Sequence, residues 1–267
     1  MRGKDLRLQS STLSTKRCLK FNVSAKHFNG ATGLVVSDLH LFARRSIGRE
    51  LMRELLPDLQ STRLLILNGD IVDFRWSTCA HHDETLRRSV AWLEELIAAL
   101  PGCQVHYVLG NHDCLTGFKP ALSKLATARK QFHWHEYHLR LGDSLFLHGD
   151  CTHRRMNRRE LQEYRAGWSR SRRLGRAATT AYRAFDRIGI TGMVHRWQFP
   201  IDRTLDRLTH HLDDAHAGWR REVRHCYFGH THDPFRDMER AGVTFHNTGS
   251  AIRGMKFNPL PISLTGL

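Results

Sequence analysis

Seven side chains in this sequence have the types and spacing needed to hold metal ions. They lie in five short motifs: Asp38-Leu39-His40, Gly69-Asp70, Gly110-Asn111-His112-Asp113, His148-Gly149-Asp150 and Gly229-His230-Thr231-His232. The candidate ligands are Asp38, His40, Asp70, Asn111, His148, His230 and His232. Oxygen and imidazole ligands without thiolate suit manganese, iron or zinc better than calcium or a structural zinc finger.

Ligands of these types can hold two ions side by side. Two metal ions about 3.5–4 Å apart can clamp both the attacking and the leaving oxygen of a phosphoryl displacement. Such a site also needs one ligand that bridges the ions, and a carboxylate can do so. The ligand set therefore predicts an enzyme with two divalent ions that activates water for attack on phosphorus.

Each motif follows a short apolar run, at residues 33–36, 64–67, 105–109, 145–147 and 225–228. These runs are too short for helices and rich in aliphatic or aromatic residues, which indicates buried strands. Residues 47–59 and 84–100 carry apolar positions at helical spacing, and residues 243–247 are a further strand candidate. The alternation predicts an α/β fold in which ligands gather at the carboxyl ends of strands.

The spacing within the motifs suggests how the ligands converge. Residues i and i+2 of an extended segment point to the same side. Asp38 and His40 are therefore expected to reach one ion together, and His230 and His232 to approach different ions. The glycines within four of the motifs are expected to allow sharp turns and to leave room near the ions.

Composition and charge indicate which binding partners and which cellular compartment to expect. The formal net charge of +15 favours anionic partners, such as a phosphorylated substrate, nucleic acid or an anionic membrane. Six scattered cysteines without a C-x-x-C pair indicate reduced thiols in a cytoplasmic protein. No apolar run is long enough to span a bilayer, so any membrane contact is expected to be peripheral, at an inner face. Residues 1–30 are interpreted as a basic, flexible tail without the apolar segment of a secretory signal.

Residues 151–225 differ from the rest of the chain. They contain 17 arginines, no lysine and eight acidic residues. An apolar stripe at Leu161, Tyr164 and Trp168 lies beside a basic one, which predicts a helical insertion at about residues 152–222 within a single domain spanning 31–267. The insertion begins just after the His148-Gly149-Asp150 motif and ends before the Gly229-His230-Thr231-His232 motif. Because both motifs contribute candidate ligands, the insertion is expected to form a lid over the metal site.

The arginines of this insertion are candidates for substrate binding. Arginine matches phosphate oxygens through paired hydrogen bonds, and Arg154, Arg158 and Arg165 are the residues predicted to do so. The apolar stripe could receive an acyl chain or lie on an anionic membrane. The alternative is a solvated basic helix whose apolar stripe simply packs on the core.

The series D-x-H, G-D-x-x-D, G-N-H-D, H-G-D and G-H-T-H resembles the calcineurin-like metallophosphoesterase superfamily over about residues 33–250. The resemblance implies two mixed β-sheets packed as a sandwich and flanked by helices. It also implies a ligand assignment, with Asp38, His40 and His232 on one ion, Asn111, His148 and His230 on the other, and Asp70 bridging. Mn²⁺ is the expected metal, with iron or zinc as alternatives.

His112 belongs to the G-N-H-D motif but not to the ligand set. Imidazole titrates near neutral pH, so His112 is predicted to protonate the leaving oxygen, the alternative being a hydrogen bond to phosphate alone. Asp113 is predicted to assist catalysis by orienting His112 or another ligand. Asp73 and Asp150 are predicted to accept hydrogen bonds from metal-binding imidazoles and so to fix their orientation.

The insertion is similar to that of the UDP-2,3-diacylglucosamine pyrophosphatase branch, which acts in lipid A biosynthesis and carries a helical lid. This likeness implies hydrolysis of the pyrophosphate of a lipid-linked nucleotide sugar. That branch typically carries arginine at the position of His112, which is a departure. A phosphodiesterase or nuclease and a generic phosphatase are alternatives on the same site. A non-catalytic scaffold is a further alternative, against which the seven retained ligands argue.

Overall fold

The computed structural model describes residues 33–170 and 198–263. The predicted tail at residues 1–30 lies outside the described residues, and so do residues 171–197 of the predicted insertion.

The first sheet has five strands in the order β10-β1-β2-β3-β4. Its strands are β1 (Gly33–Val36), β2 (Leu64–Asn68), β3 (Gln104–Val108), β4 (Phe132–His135) and β10 (Leu260–Ile262). The first four run parallel and β10 pairs antiparallel with β1. The helices α1 (Gly48–Gln60), α2 (His82–Ala99) and α3 (Phe118–Ala128) connect these strands, and their apolar faces pack on one side of the sheet.

The second sheet also has five strands, in the order β5-β6-β7-β9-β8. Its strands are β5 (His138–Leu141), β6 (Ser144–Leu147), β7 (His225–Phe228), β8 (Phe235–Arg240) and β9 (Val243–Asn247). The strands β6, β7 and β9 run parallel, and β5 and β8 flank them antiparallel.

The two sheets pack face to face. Alternate residues of the first sheet, such as Val35 and Ile66, meet Phe146 and Tyr227 of the second sheet in a shared apolar layer. The intervening residues of the same strands face the helices instead, so the central strands are buried on both sides. This arrangement confirms the predicted α/β fold with two mixed sheets in a sandwich.

Helices of the insertion cover the outer face of the second sheet. They are α4 (Arg158–Ser169), α5 (Ile201–Ala215) and the single turn α6 (Trp219–Glu222). Leu161 of α4 and Leu208 of α5 pack against Leu147 and Phe228 of the sheet. Asn157 begins α4 through a reciprocal capping box with Glu160. Part of the predicted apolar stripe is therefore core, as the alternative interpretation of the insertion expected.

The structure adds elements that the apolar pattern did not indicate, namely α3, β4, β5, β8 and β10. Two of these strands lack a continuous apolar run, because a histidine separates Phe132 from Trp134 in β4 and an arginine separates Leu139 from Leu141 in β5. Among the described residues, no helix has both the length and the hydropathy needed to cross a membrane.

Candidate metal centre

Five of the seven candidate ligands have a left-handed backbone: Asp38 (φ 52°), His40 (47°), Asp70 (51°), His230 (66°) and His232 (58°). The expectation that Asp38 and His40 converge as neighbours in an extended strand is wrong, because β1 ends at Val36. Residues other than glycine rarely adopt this conformation, since Cβ then crowds the following carbonyl oxygen. These five ligands converge because the chain turns sharply after β1, β2 and β7.

One group of ligands comes from the loops after β1 and β7. The ligand atoms of Asp38, His40 and His232 lie within 4.8 Å of one another. His232 Nε2 is 3.2 Å from Asp38 Oδ1 and 3.2 Å from His40 Nε2. All three side chains are more than four-fifths buried. These three residues could hold one metal ion, as the sequence predicts.

A second group of ligands lies beside the first. Asp70 Oδ2 and Asn111 Oδ1 are each 3.2 Å from His148 Nε2, and His230 completes the group. Asp70 Oδ2 is also 4.0 Å from His40 Nε2 of the first group. Asp70 thus lies between the two groups, which is the position required of a bridging ligand.

The donor atoms fit two divalent ions. Within the described residues, the buried His230 Nε2 has no hydrogen-bond partner, which leaves a lone pair for a metal. The donors are carboxylate, amide oxygen and imidazole, a set that suits first-row transition metals. Side chains crowd this space closely, because a Cβ at Gly110 would overlap Asp70 Oδ1 and one at Gly229 would overlap Asp38 Oδ2.

Burial and the close contacts between carboxylates and imidazoles shift the pKa values of the candidate ligands. Burial raises the pKa of Asp38, but hydrogen bonds from His232 and His40 outweigh burial and hold this pKa below its usual range. Burial likewise opposes ionisation of Asp70, and the charge of His148 reverses that effect and lowers its pKa. Burial and the neighbouring charge of His148 lower the pKa of His230 to about 3. The carboxylates are therefore ionised and His230 is neutral, as metal ligands must be. Burial is outweighed by the same carboxylates at two other imidazoles, since they raise the pKa of His40 and raise that of His148 to about 9, so these two imidazoles would release a proton when a metal binds.

A family model described as calcineurin-like phosphoesterase matches residues 33–234, which include all seven candidate ligands. The chain belongs to this family. It is therefore a metallophosphoesterase, a hydrolase acting on phosphoester bonds, and a dinuclear metal centre is typical of such enzymes. A solved dimetal phosphatase from Danio rerio is 12% identical, with 87% of this chain and 98% of that chain covered and a TM-score of 0.40. A search of curated proteins finds no match.

Residues behind the metal centre of this phosphoesterase tie its two sheets together. Asn68, at the end of β2, donates from Nδ2 to the carbonyl oxygens of Leu147 and Tyr227, both at 3.0 Å. These contacts join one strand of the first sheet to two strands of the second at their ligand-bearing ends. Sequence reasoning missed Asn68, although a polar residue that ends a buried apolar run was the available signal.

The segment after β9 supports the first ligand group. The Ser250 hydroxyl and the Ala251 N–H donate to the Asp38 carbonyl oxygen at 3.1 and 3.0 Å. Asn247 donates from Nδ2 to the Gly229 carbonyl at 2.9 Å and so holds the loop that carries the last two histidines. Sequence reasoning also missed the roles of these residues, because contacts across 18 positions for Asn247 and 212 positions for Ser250 leave no local pattern.

Asp113 lies in the interior, away from any substrate. It accepts hydrogen bonds from the Tyr107 hydroxyl at 2.7 Å and from the backbone N–H groups of Gly110 and Ile71 at 2.6 and 2.9 Å. Burial and the charge of Asp70 raise its pKa to about 6. The prediction was that Asp113 orients His112 or another ligand. Its hydrogen bonds agree with the second form, because they fix the two loops that carry the candidate ligands Asp70 and Asn111.

Asp150 and Arg165 form a buried ion pair. Arg165 donates from Nε and Nη2 to Asp150 at 2.7 and 2.8 Å, and from Nη1 to the Glu136 carbonyl. Arg165 is 5% exposed and Asp150 is 1% exposed. Two predictions are corrected here, since Asp150 holds an arginine rather than an imidazole, and the guanidinium of Arg165 is engaged inside the protein rather than free for substrate.

Asp73 and His112 lie at the edge of the metal centre. Asp73 Oδ2 is 3.3 Å from His40 Nδ1 and 3.1 Å from His112 Nδ1. Burial opposes ionisation of Asp73, but the nearby His112 and His40 outweigh burial and lower its pKa. One carboxylate therefore lies behind both a metal ligand and the candidate acid, and it leaves His112 Nε2 as the nitrogen available to substrate.

The two remaining candidate arginines lie on the surface. Arg154 is exposed and follows His153, whose ring centroid is 6.2 Å from that of His230. Arg158 is also exposed. Burial lowers the pKa of His138 and of His216, and the charge of Arg158 lowers both further. The residue before Arg154 thus lies near the metal centre, and the charge of Arg158 acts on a histidine at the start of β5.

The insertion reaches the metal centre through Trp168. The Trp168 ring centroid is 4.6 Å from that of His112, and the Arg75 guanidinium carbon is 4.5 Å from the Trp168 centroid. Arg75 and Trp168 line a narrow cleft beside His112, together with His82, Phe74 and Leu115. Sequence reasoning missed Arg75 and His82, because nothing in their local sequence separates them from ordinary surface residues.

Proposed function

We propose that this phosphoesterase uses a dinuclear metal centre to activate water for attack on phosphorus. The observation that carries the proposal is the position of Asp70 between two groups of buried ligands, with His112 at their edge. Two divalent ions held by these groups would lower the pKa of water and stabilise charge on the phosphoryl oxygens. Mn²⁺ is the metal that we propose to test first.

His112 is proposed as the acid of this reaction. Asp73 lies 3.1 Å from Nδ1 and favours a proton on that nitrogen. A protonated imidazole can then donate from Nε2 to the leaving oxygen as the bond to phosphorus breaks. The Trp168 ring packs against His112 and restricts its rotation, so the proton donor keeps its direction.

The substrate is a further part of the proposal. The contact between α4 and His112 and the basic charge of the insertion support a phosphorylated substrate lying beneath α4. The pyrophosphate of a lipid-linked nucleotide sugar, such as UDP-2,3-diacylglucosamine, stays a prediction. Leu161 is 4% exposed and Tyr164 packs against the same core, so these two residues of the apolar stripe do not offer an acyl-chain surface.

A metal-content and activity assay tests the proposal. Protein loaded with Mn²⁺ should hydrolyse bis(p-nitrophenyl) phosphate, and chelation should abolish the activity. Asp70→Ala should reduce bound metal and lower kcat/KM by more than the roughly 10–100-fold that outer-shell substitutions cost. Asp143→Ala, which removes an exposed carboxylate from the turn between β5 and β6, is the matched control. Full activity and full metal content in Asp70→Ala would reject the dinuclear proposal.

A further inference from the structure

The candidate metal centre is accessible to solvent beside His230. Five of the seven candidate ligands are buried, and only His230 and His232 are partly exposed. A substrate that reaches the ligands must therefore pass the side chains that border these two imidazoles. His153 and Phe199 border His230, with ring centroids 6.2 and 5.5 Å from its own. Both side chains come from the insertion.

His153 presents an exposed ring at this opening. The ring stacks on Tyr164 of α4, with centroids 5.4 Å apart and ring planes at 24°. Phe199 lies on another side, with its ring centroid 6.3 Å from that of His153. Phe199 is buried and Tyr164 is half-buried, whereas His153 is exposed. His153 is therefore the member of this aromatic cluster that a ligand can touch.

The backbone of His153 is fixed from two directions. Arg207 of α5 donates from Nη1 to the carbonyl oxygens of Thr152 and His153 at 2.8 and 3.1 Å. The buried Thr152 hydroxyl donates to the Gly149 carbonyl oxygen at 2.7 Å, in the turn after β6. The ring is thus held between a ligand-bearing turn and a helix of the insertion. A group that packs on it meets a surface that is already positioned.

The distance of His153 from the ligand atoms decides which part of a substrate it can contact. Among the described residues, His153 belongs to none of the groups whose ligand atoms lie within 4.8 Å of one another. It therefore lies one layer outside the ligands, at the level of an organic substituent on phosphorus. The proposed acid His112 lies beside His40 of the other ligand group, with ring centroids 4.9 Å apart. The leaving group is next to His112, so the substituent next to His153 is the one that stays on phosphorus.

We propose that His153 determines specificity by packing its ring against the substituent that stays on phosphorus, which we call the retained substituent. This inference rests on the proposed function. Contacts between aromatic rings gain more than the buried area alone provides, so an imidazole at this position favours a flat or aromatic group. The enzyme is then expected to prefer substrates whose retained substituent contains a ring over those with a methyl group at the same place.

A pair of phosphonate esters isolates the retained substituent. p-Nitrophenyl phenylphosphonate and p-nitrophenyl methylphosphonate have the same leaving group and the same charge, and they differ only in the group that stays on phosphorus. Mn²⁺-loaded wild type should favour the phenyl compound in kcat/KM. His153→Ala should reduce this preference about 2- to 10-fold, chiefly through KM, which is the range expected for one aromatic contact. His153→Phe keeps an aromatic ring and should retain most of the preference. His133→Ala removes an exposed imidazole from β4 and should leave it unchanged.

Binding without turnover gives a second readout. Phenylphosphonic acid and methylphosphonic acid have no ester bond to hydrolyse, and isothermal titration calorimetry measures their affinities for the same Mn²⁺-loaded variants. His153→Ala should weaken binding of the phenyl compound about 2- to 10-fold and leave that of the methyl compound unchanged. Arg207→Gln releases the His153 carbonyl and should also weaken the phenyl compound selectively, whereas Arg203→Gln on an exposed position of α5 should not. Circular dichroism and thermal melting check that each variant is folded.

The outcomes separate this inference from the proposed function. If bis(p-nitrophenyl) phosphate is cleaved but the wild type shows no phenyl preference, or His153→Ala keeps it, His153 does not contact the retained substituent. Equal losses on the phenyl and methyl compounds would indicate a purely structural role and would also overturn the inference, as would failure to bind either phosphonic acid. If bis(p-nitrophenyl) phosphate is not cleaved with Mn²⁺, or if chelation has no effect, the proposed function itself is wrong.

Discussion

Replacing Arg165 with methionine isolates the free energy of the contact that holds α4 to the second sheet. The substitution keeps much of the aliphatic stem but leaves the Asp150 carboxylate, which is 1% exposed, without two hydrogen bonds of 2.7 and 2.8 Å. Removing one partner of such a buried pair typically costs about 3–5 kcal/mol, because the other charge stays buried and unpaired. For a domain of this size, that loss corresponds to a fall in Tm of roughly 6–20 °C.

Urea unfolding at 25 °C, followed by circular dichroism at one fixed MnCl₂ concentration, measures the change. The matched control is Arg159→Met on the same helix, whose partner Glu163 lies at 3.0 Å but in solvent. Its side chain is 86% exposed, so we expect a loss of less than about 0.5 kcal/mol. The double variant Asp150→Leu with Arg165→Met removes both buried charges and should recover most of the stability lost in the single variant.

Two results would refute this reasoning. If Arg165→Met loses no more stability than Arg159→Met, the buried pair does not anchor the helix. If the double variant is as unstable as the sum of its two single variants, the charges do not act on each other, and packing alone explains the losses.

Three other predictions concern the active site and the sandwich. His112→Gln should lower kcat about 10²- to 10⁴-fold for alkyl phosphodiesters but far less for p-nitrophenyl esters, whose leaving group needs no proton; equal losses on both would contradict the acid role. Gly110→Ala should abolish metal binding, since its Cβ would overlap Asp70 Oδ1, and metal analysis of the purified variant checks this. Burial lowers the pKa of His106 and of His246 to about 4, against about 6.5 in the unfolded chain. The unfolded state therefore binds more protons between these values, and the free energy of unfolding should fall as pH drops from 6.5 towards 4, by about 1 kcal/mol for each histidine after allowance for solvent screening. In urea melts at pH 7 and pH 5, His106→Gln should lose less stability on acidification than the wild type, and an equal loss would count against this assignment.

The strands and the ligands could be predicted because their signals are local. An apolar run that ends in glycine and a carboxylate or imidazole marks both a buried strand and the polar loop after it. Leu64–Asn68 followed by Gly69 and Asp70 shows this pattern, and the observed strand differs from the predicted one by a single residue. The helices before and after it follow from apolar spacing in the same way.

Other features could not be predicted because they depend on contacts between distant parts of the chain. Arg165 carries the same charge as its exposed neighbours, and only the tertiary position of Asp150 takes it out of solvent. The strand β4 reads Phe-His-Trp-His, and only its pairing with β3 makes these residues a strand. The left-handed backbone of Asp38 is likewise invisible in the sequence, because aspartate gives no sign of which region of φ it will occupy.

The left-handed backbone of the five candidate ligands makes catalytic activity and thermal stability compete. Each such residue costs about 1 kcal/mol relative to a relaxed backbone, so the five together cost on the order of 5 kcal/mol. That sum is comparable with the whole stability margin of an ordinary domain. A population of variants selected only for heat resistance should therefore accumulate glycine or asparagine at Asp38, His40, Asp70, His230 and His232. Such substitutions would raise thermal stability by removing the metal ligands and would therefore abolish activity. Any effort to stabilise this enzyme should measure turnover in parallel with thermal stability.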